Sequence, residues 1–181
     1  MRKPRDVQRS RVYAWERSFR QPEQGLGEIR AKDPFPPQLL RLFQDAWKWG
    51  SERMGRHDHK FADWWGDEVP ALTFSPRLKR FSAHAGFVSV GGGWLKPGIA
   101  FGTAGFITPR HTLLHELAHV FTMFDGDGRP FGAAGHDPRF CRVALDLYAR
   151  YLGVDESKAL VSAVEQRVRI ADTWSLPEVS P

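Results

Sequence analysis

The stretch HTLLHELAHV, residues 111–120, decides how this chain folds. His115 and His119 are four residues apart, which is one turn of an α-helix, so their imidazoles project from one face and can bind a single ion. Glu116 stands beside that face without joining the pair. The opposite face is apolar and consists of Leu113, Leu117, Val120, Phe121 and Phe124. The stretch therefore predicts a helix that packs through one face and presents His, Glu and His on the other.

A third metal ligand has to come from elsewhere, because a catalytic zinc ion usually takes three protein ligands and keeps a fourth position for water. His136 is the best candidate, since it follows a glycine-rich loop and directly precedes a capped helix, where the chain can fold back. The alternatives are downstream carboxylates, namely Asp137, Asp146 and Glu156. The metal expected for such a set is Zn²⁺.

Four other polar side chains could border this site. His111 lies one helical turn, about 6 Å, before His115, too far to share its ion, so we expect it to line the cleft or lie at the surface. His84 is expected to be a packed or exposed strand histidine, with hydrogen bonding to a substrate as the alternative. Tyr148 and Tyr151 are candidates for stabilising an oxyanion, although helical phase alone does not separate that role from core packing.

The composition favours one domain and a reducing compartment. A chain of 181 residues is long enough for one core and too short for two full domains. Its 26 Lys and Arg against 21 Asp and Glu give a formal charge of +5. The lone cysteine, Cys141, excludes an intrachain disulfide and a Cys-based zinc cluster. The start has no apolar signal segment, and no apolar run is long enough to span a bilayer, so we expect a cytoplasmic protein without a membrane partner.

Periodicity and turn residues predict an α+β domain over residues 1–170, flexible at 1–5 and followed by a disordered tail at 171–181. Helices are predicted at 6–19, 38–54, 108–124, 138–153 and 155–168, and strands at 71–75, 81–90 and 98–101. In the last helix the side chains expected to face inward are Leu160, Val161, Val164 and Val168. Two or three of the strands are expected to pair as a small sheet.

Four segments together carry a resemblance to known proteins: RDVQRSRVYAWE at 5–16, TPRHTLLHELAHVF at 108–121, GHDPRF at 135–140 and ALVSAVEQRVRI at 159–170. HELAH followed by GHDPRF resembles the SprT-like zincin metallopeptidases. The four segments are similar to a family, found mainly in actinobacteria and their phages, that is classed as metallohydrolases by inference only. The resemblance implies a minimal zincin fold, with a small sheet packed on the HExxH helix and flanking helices. It also implies His115, His119 and His136 as ligands and Glu116 as the base. Asp137 departs from the family pattern, which has glycine there.

The N-terminal region holds the one sizeable cluster of positive charge, consisting of Arg2, Lys3, Arg5, Arg9, Arg11, Arg17 and Arg20. A solvated helix face is the expected interpretation, and binding of nucleic acid is the sharper alternative. SprT-like relatives that are associated with DNA favour that alternative only by analogy.

The expected function is that of a zinc peptidase, in which Glu116 acts as general base toward a peptide or protein substrate. The alternative is a non-enzymatic binding module with a structural or degenerate zinc site, whose basic helix binds nucleic acid. Closed coordination by four protein ligands would favour the module, and an open site would favour the enzyme.

Overall fold

The computed structural model describes residues 6, 8–20, 29, 34–55, 70–75, 78, 83–89, 95–102, 108–122 and 135–174. Within them the chain forms α1 (Arg9–Phe19), α2 (Pro37–Gly55), β1 (Ala71–Phe74), β2 (Ala83–Ser89), β3 (Leu95–Phe101), α3 (Pro109–Phe121), α4 (Pro138–Leu152) and α5 (Glu156–Glu165). Five helices and a small mixed sheet confirm the predicted α+β domain. The start at 1–5 and Phe124 lie outside the described residues.

The three strands form one sheet in the order β1-β3-β2. β1 runs parallel to β3, with Ala71 opposite Gly98, and β2 runs antiparallel to β3, with Ala85 opposite Ile99. Among the described residues β2 pairs only with β3, so it is an edge strand. The sheet packs on α3 mainly through β2.

Helix α3 is the centre of the core, because nearly all of its side chains are buried. Its N-terminal turn has Pro109 at the first helical positions, where a missing N–H does not break a hydrogen bond. At the other end, the ring of Phe121 stacks on Trp47 of α2 with 5.3 Å between ring centroids. Gly50 of α2 lies directly against the same ring, leaving no room for a larger residue. Helices α2 and α4 both pack against α3.

Helix α4 begins and ends at the residues that its sequence indicates. The Asp137 side chain accepts a hydrogen bond from the Phe140 N–H at 2.7 Å, which caps the helix, and Pro138 follows at the first position. Gly153 ends the helix with a φ of 67°, a left-handed conformation that glycine adopts without steric cost. Because Asp137 is the cap, its carboxylate holds the start of α4.

The inward face predicted for the last helix was wrong for three of its four residues, since only Val168 is buried. Leu160, Val161 and Val164 are 38%, 61% and 78% exposed, and the buried positions of α5 are Ala159 and Ala163. The cause is the neighbouring helix α1, because the indole N–H of Trp15 donates to the Ala159 carbonyl at 2.8 Å. Such a close approach needs small side chains on α5, so its larger apolar residues turn outward.

The chain stays packed beyond residue 171, where the sequence predicted a disordered tail. The Ala171 N–H donates to the Pro138 carbonyl at 2.9 Å, and Trp174 is 1% exposed. The indole N–H of Trp174 donates to Asp146 at 2.8 Å, while its carbonyl accepts from Arg139 at 2.6 Å. The predicted boundary is therefore too early for residues 171–174, and residues 175–181 lie outside the described residues.

Candidate metal centre

Three histidines converge at one point, as the sequence predicted. One ring nitrogen of each of His115, His119 and His136 lies within 4.8 Å of the others. His115 and His119 are one turn apart on α3, and His136 is brought to them by the turn that precedes α4. His115 and His136 are buried, whereas His119 is half-buried. The cluster can hold one metal ion, and His119 is its partly exposed member.

Two carboxylates fix the orientation of two of these rings. His115 Nδ1 lies 2.7 Å from a Glu16 oxygen, and His136 Nδ1 lies 2.6 Å from an Asp6 oxygen. Since an ionised carboxylate only accepts hydrogen bonds, Nδ1 of both rings must be the donor. The Nε2 atoms of His115 and His136 then face each other with their lone pairs, 3.3 Å apart.

That separation fits a shared ion. Two nitrogens that each lie 2.0–2.1 Å from a tetrahedral zinc ion are about 3.3 Å from one another. Two bare lone pairs at this distance repel each other, so a cation or a proton has to lie between them. The arrangement of nitrogen donors and carboxylates behind them is typical of histidine metal sites.

The charges around the cluster favour neutral, metal-binding imidazoles at two of the three positions. Burial lowers the pKa of His119 and of His136, and the neighbouring histidines add to this effect. Burial opposes protonation of His115 as well, but the adjacent Glu16 carboxylate outweighs it and raises the pKa of His115. Although burial disfavours the ionised form of Glu16, the charge and hydrogen bond of His115 bring its pKa to about 2. Glu16 is thus an anion directly behind the cluster.

Glu116, the base expected from the sequence, is buried close enough to His115 for the two charges to interact. It is buried on α3, next to His115 in the chain, and its carboxylate accepts a hydrogen bond from the Ala85 N–H of β2. Burial raises the pKa of Glu116, partly offset by His115, by the Ala85 N–H and by His84. A raised pKa makes this carboxylate a stronger base. His84 is exposed on β2 and therefore interacts with Glu116 through its charge.

The three alternative ligands are engaged elsewhere. Asp137 caps α4. Asp146 lies 3.0 Å from an Arg53 nitrogen and accepts the Trp174 indole hydrogen bond, and Glu156 accepts hydrogen bonds from Arg142 at 3.0 and 3.2 Å. None of the three belongs to the histidine cluster.

Neither tyrosine proposed for an oxyanion presents its hydroxyl to the cluster. Tyr148 is fully buried and donates to Glu16 at 2.7 Å, and Tyr151 donates to the Asp45 carbonyl at 3.0 Å.

His111 is also buried rather than at the surface: its ring stacks on Tyr148 with centroids 4.5 Å apart. Its ring edge lines a cavity of about 940 Å³ beside α5, whose lining includes none of the three converging histidines.

Helix α1 and the residues just before it supply the part of the site that sequence reasoning missed. Asp6 and Glu16 orient two rings, and the ring of Tyr13 stacks on His115 at 5.6 Å and meets His136 edge-on at 5.0 Å. Gln8 donates to the His136 carbonyl at 2.6 Å. One signal was available, because Glu16 lies four residues after Val12 and so on the inward stripe of an otherwise basic helix. No sequence signal indicated which rings that stripe would meet.

Four arginines of the predicted basic cluster lie on α1 or directly after it. Arg9, Arg11, Arg17 and Arg20 are exposed, and residues 1–5 lie outside the described residues. Binding of nucleic acid remains a prediction. No helix in the described part of the chain is long and apolar enough to cross a membrane.

Comparison with protein families, with curated proteins and with solved structures finds no match to this chain.

Proposed function

We propose that this protein is a zinc-dependent hydrolase that cleaves peptide or amide bonds, with His115, His119 and His136 as ligands. The observation that carries the proposal is the 3.3 Å approach of two Nε2 atoms whose rings both donate through Nδ1 to carboxylates. A third imidazole nitrogen within 4.8 Å completes a three-histidine set. The resemblance to SprT-like zincins supports the same assignment, and the lone buried thiol of Cys141 is consistent with the cytoplasmic location that we propose.

The coordination favours an enzyme over a structural site. Among the described residues the cluster contains no fourth His, Cys, Asp or Glu, whereas structural zinc sites are closed by four protein ligands. Among the described residues, His119 is the ligand that keeps some exposure to solvent. An open position is what a hydrolase requires for water and substrate.

A zinc ion in this site would supply an acidified water and would polarise the carbonyl of the bond to be cleaved. Glu116 accepts a proton from the attacking water as the new carbon–oxygen bond forms. It then delivers the proton to the leaving nitrogen as the carbon–nitrogen bond breaks. The Ala85 N–H holds the carboxylate in place throughout. Burial of Glu116 and of two of the rings limits the access of other water.

The neighbouring strand supports a peptide as substrate. Among the described residues β2 is one of the two edge strands of the sheet, and its Ala85 N–H donates to Glu116. An extended peptide can add to such an edge by main-chain hydrogen bonds. Because β2 lies beside the proposed base, a peptide bound along it would pass close to the histidines.

Glu116→Gln tests the mechanism, because it keeps the size of the side chain and removes the base. We expect one zinc per chain to persist, while hydrolysis of fluorescein-labelled casein falls at least about a hundredfold. The matched control is Glu52→Gln, the same change at an exposed position of α2, which should leave both unchanged. Loss of zinc in Glu116→Gln would show that the assignment of the ligands is wrong. Full activity in this variant would show that Glu116 is not the general base.

The alternative, a non-enzymatic module that binds nucleic acid, is favoured by the exposed arginines of α1. In that case the parent protein would bind zinc and cleave neither casein nor a peptide library.

A further inference from the structure

Among the described residues, Tyr13 is the hydroxyl-bearing side chain whose ring lies against the rings of the histidine cluster. Its ring is half-buried on α1, stacks on His115 at an angle of 28° and meets His136 edge-on at 72°. It therefore borders the same two imidazoles whose Nε2 atoms face one another. The hydroxyls of Tyr148 and Tyr151 are engaged elsewhere.

The Tyr13 hydroxyl has a donor of its own. Arg9 lies one helical turn earlier on α1, with its guanidinium 5.5 Å from the ring centroid of Tyr13, and it donates a hydrogen bond to the hydroxyl oxygen. A phenol oxygen that accepts from an arginine keeps its own O–H for a second partner. The positive charge beside it makes that O–H a stronger donor.

The hydroxyl also lies within electrostatic reach of the proposed base. Burial is the main cause that raises the pKa of Tyr13, and the Glu116 carboxylate adds to it. The same carboxylate acts on Arg9. Arg9 and Glu116 thus both act on Tyr13, whose ring lies against His115 and His136.

We propose that the Tyr13 hydroxyl, held by Arg9, donates a hydrogen bond to the scissile carbonyl oxygen as that oxygen gains negative charge. This role rests on the hydrolase function proposed above. No proton is transferred: the hydrogen stays on Tyr13, and the bond weakens again when the carbonyl re-forms. A donor placed where charge develops stabilises the transition state more than the bound substrate, so it should act on kcat rather than on KM.

Tyr13→Phe removes the hydroxyl and keeps the ring that packs on His115 and His136. The matched control is Tyr151→Phe, since that hydroxyl donates to a main-chain carbonyl of α2 and accepts from Arg150, the same kind of donor that Tyr13 has. On fluorescein-labelled casein we expect kcat of Tyr13→Phe to fall about a hundredfold, with KM within about twofold of the parent. Arg9→Gln, which retains a weaker donor, should lower kcat about tenfold. Zinc affinity should not change in any of the three.

A second measurement needs no turnover. In the Co²⁺-loaded protein, methylphosphonate offers a tetrahedral anion in place of the reacting carbon, and its binding can be followed by the visible absorption of the cobalt. We expect Tyr13→Phe to bind this probe about tenfold more weakly than the parent and the Tyr151→Phe control. Equal affinities would overturn the role of Tyr13, and so would a parent that does not bind the probe.

The remaining outcomes separate this role from its rivals. Reduced metal affinity in Tyr13→Phe would make Tyr13 a ligand or a packing residue and would overturn the proposal. Unchanged kcat in a protein that does cleave casein would overturn the role of Tyr13 and leave the hydrolase function standing. If the parent cleaves nothing, the hydrolase function and the catalytic role fail together, and the methylphosphonate result then shows only whether Tyr13 binds anions.

Discussion

At the scale of single residues, the site depends on a buried charge that would be costly anywhere else. Glu16 is 1% exposed, and an isolated buried carboxylate loses several kcal/mol of hydration. Here one of its oxygens accepts from His115 Nδ1 and from the Tyr148 hydroxyl, both at 2.7 Å. These contacts are lost if the site does not assemble. Glu16 therefore couples the folding of α1 to the geometry of the cluster.

Glu16→Gln should lower zinc affinity by about ten- to a hundredfold, because the amide no longer holds His115 in the tautomer that presents Nε2. Competition with a chromophoric chelator measures this affinity directly. Glu52→Gln, the exposed control on α2, should bind zinc as the parent does. An unchanged affinity in Glu16→Gln would mean that the carboxylate does not orient the ligand.

His111 is not a proposed ligand, so it gives a pH dependence of stability that can be measured without metal. Its pKa is lowered from 6.5 to about 3, mainly by burial, so the native ring is neutral while the unfolded ring takes up a proton below pH 6.5. The stability that His111 contributes is therefore complete above pH 6.5 and is lost as the pH falls toward 3.

His111→Phe keeps the ring that stacks on Tyr148 and removes the titrating nitrogen. In urea unfolding of the metal-free protein, the parent should lose about 1 kcal/mol more per pH unit than the variant between pH 6 and 4. Parallel pH profiles would contradict a buried, neutral His111.

The sequence predicted the three converging histidines. Helical periodicity places His115 and His119 on one face of a helix. His136 directly precedes a capped helix start, where the chain can fold back over that face. It did not predict Asp6, Tyr13 and Glu16 beside them. Their role depends on which helix packs across the histidine face, and periodicity within α1 carries no information about its partner.

At the scale of elements, spacing predicted which segments are helical and which are strands, but not always which face is buried. α5 has a valine-rich stripe, yet its buried positions are Ala159 and Ala163. The contact from the Trp15 indole to the α5 main chain decides the face. Small residues at a close helix contact outweigh a more apolar stripe, and hydrophobic spacing alone does not reveal such a contact.

The packing of α2 on α3 makes a sharper prediction at Gly50. A Cβ at this position would lie under 3 Å from three carbons of the Phe121 ring, which is already stacked on Trp47. Alanine usually stabilises a helix by about 1 kcal/mol relative to glycine. Gly50→Ala should instead destabilise the protein by about 1–3 kcal/mol, because the ring has to move in a filled core.

Urea unfolding measures this effect, with Lys48→Ala at an exposed position of the same helix as the control. The control should stay within about 0.5 kcal/mol of the parent. A Gly50→Ala variant more stable than the parent would show that α2 and α3 are further apart than described.

At the scale of the whole molecule, the metal centre joins segments that are distant in sequence. Asp6 precedes the N-terminal helix and Glu16 lies in it, His115 comes from the central helix, and His136 from the turn before α4. The core around the central helix extends to Trp174, whose ring lies 5.8 Å from that of Phe121. Metal that binds only to this assembled arrangement stabilises the native state.

The most direct test of this account is elemental analysis of protein purified without added metal, compared with His119→Ala prepared in the same way. The account predicts close to one zinc ion per chain in the parent and strong depletion in the variant, because His119 is the half-buried member of a three-histidine set. A parent without stoichiometric metal, or a His119→Ala variant with the same zinc content as the parent, would contradict it.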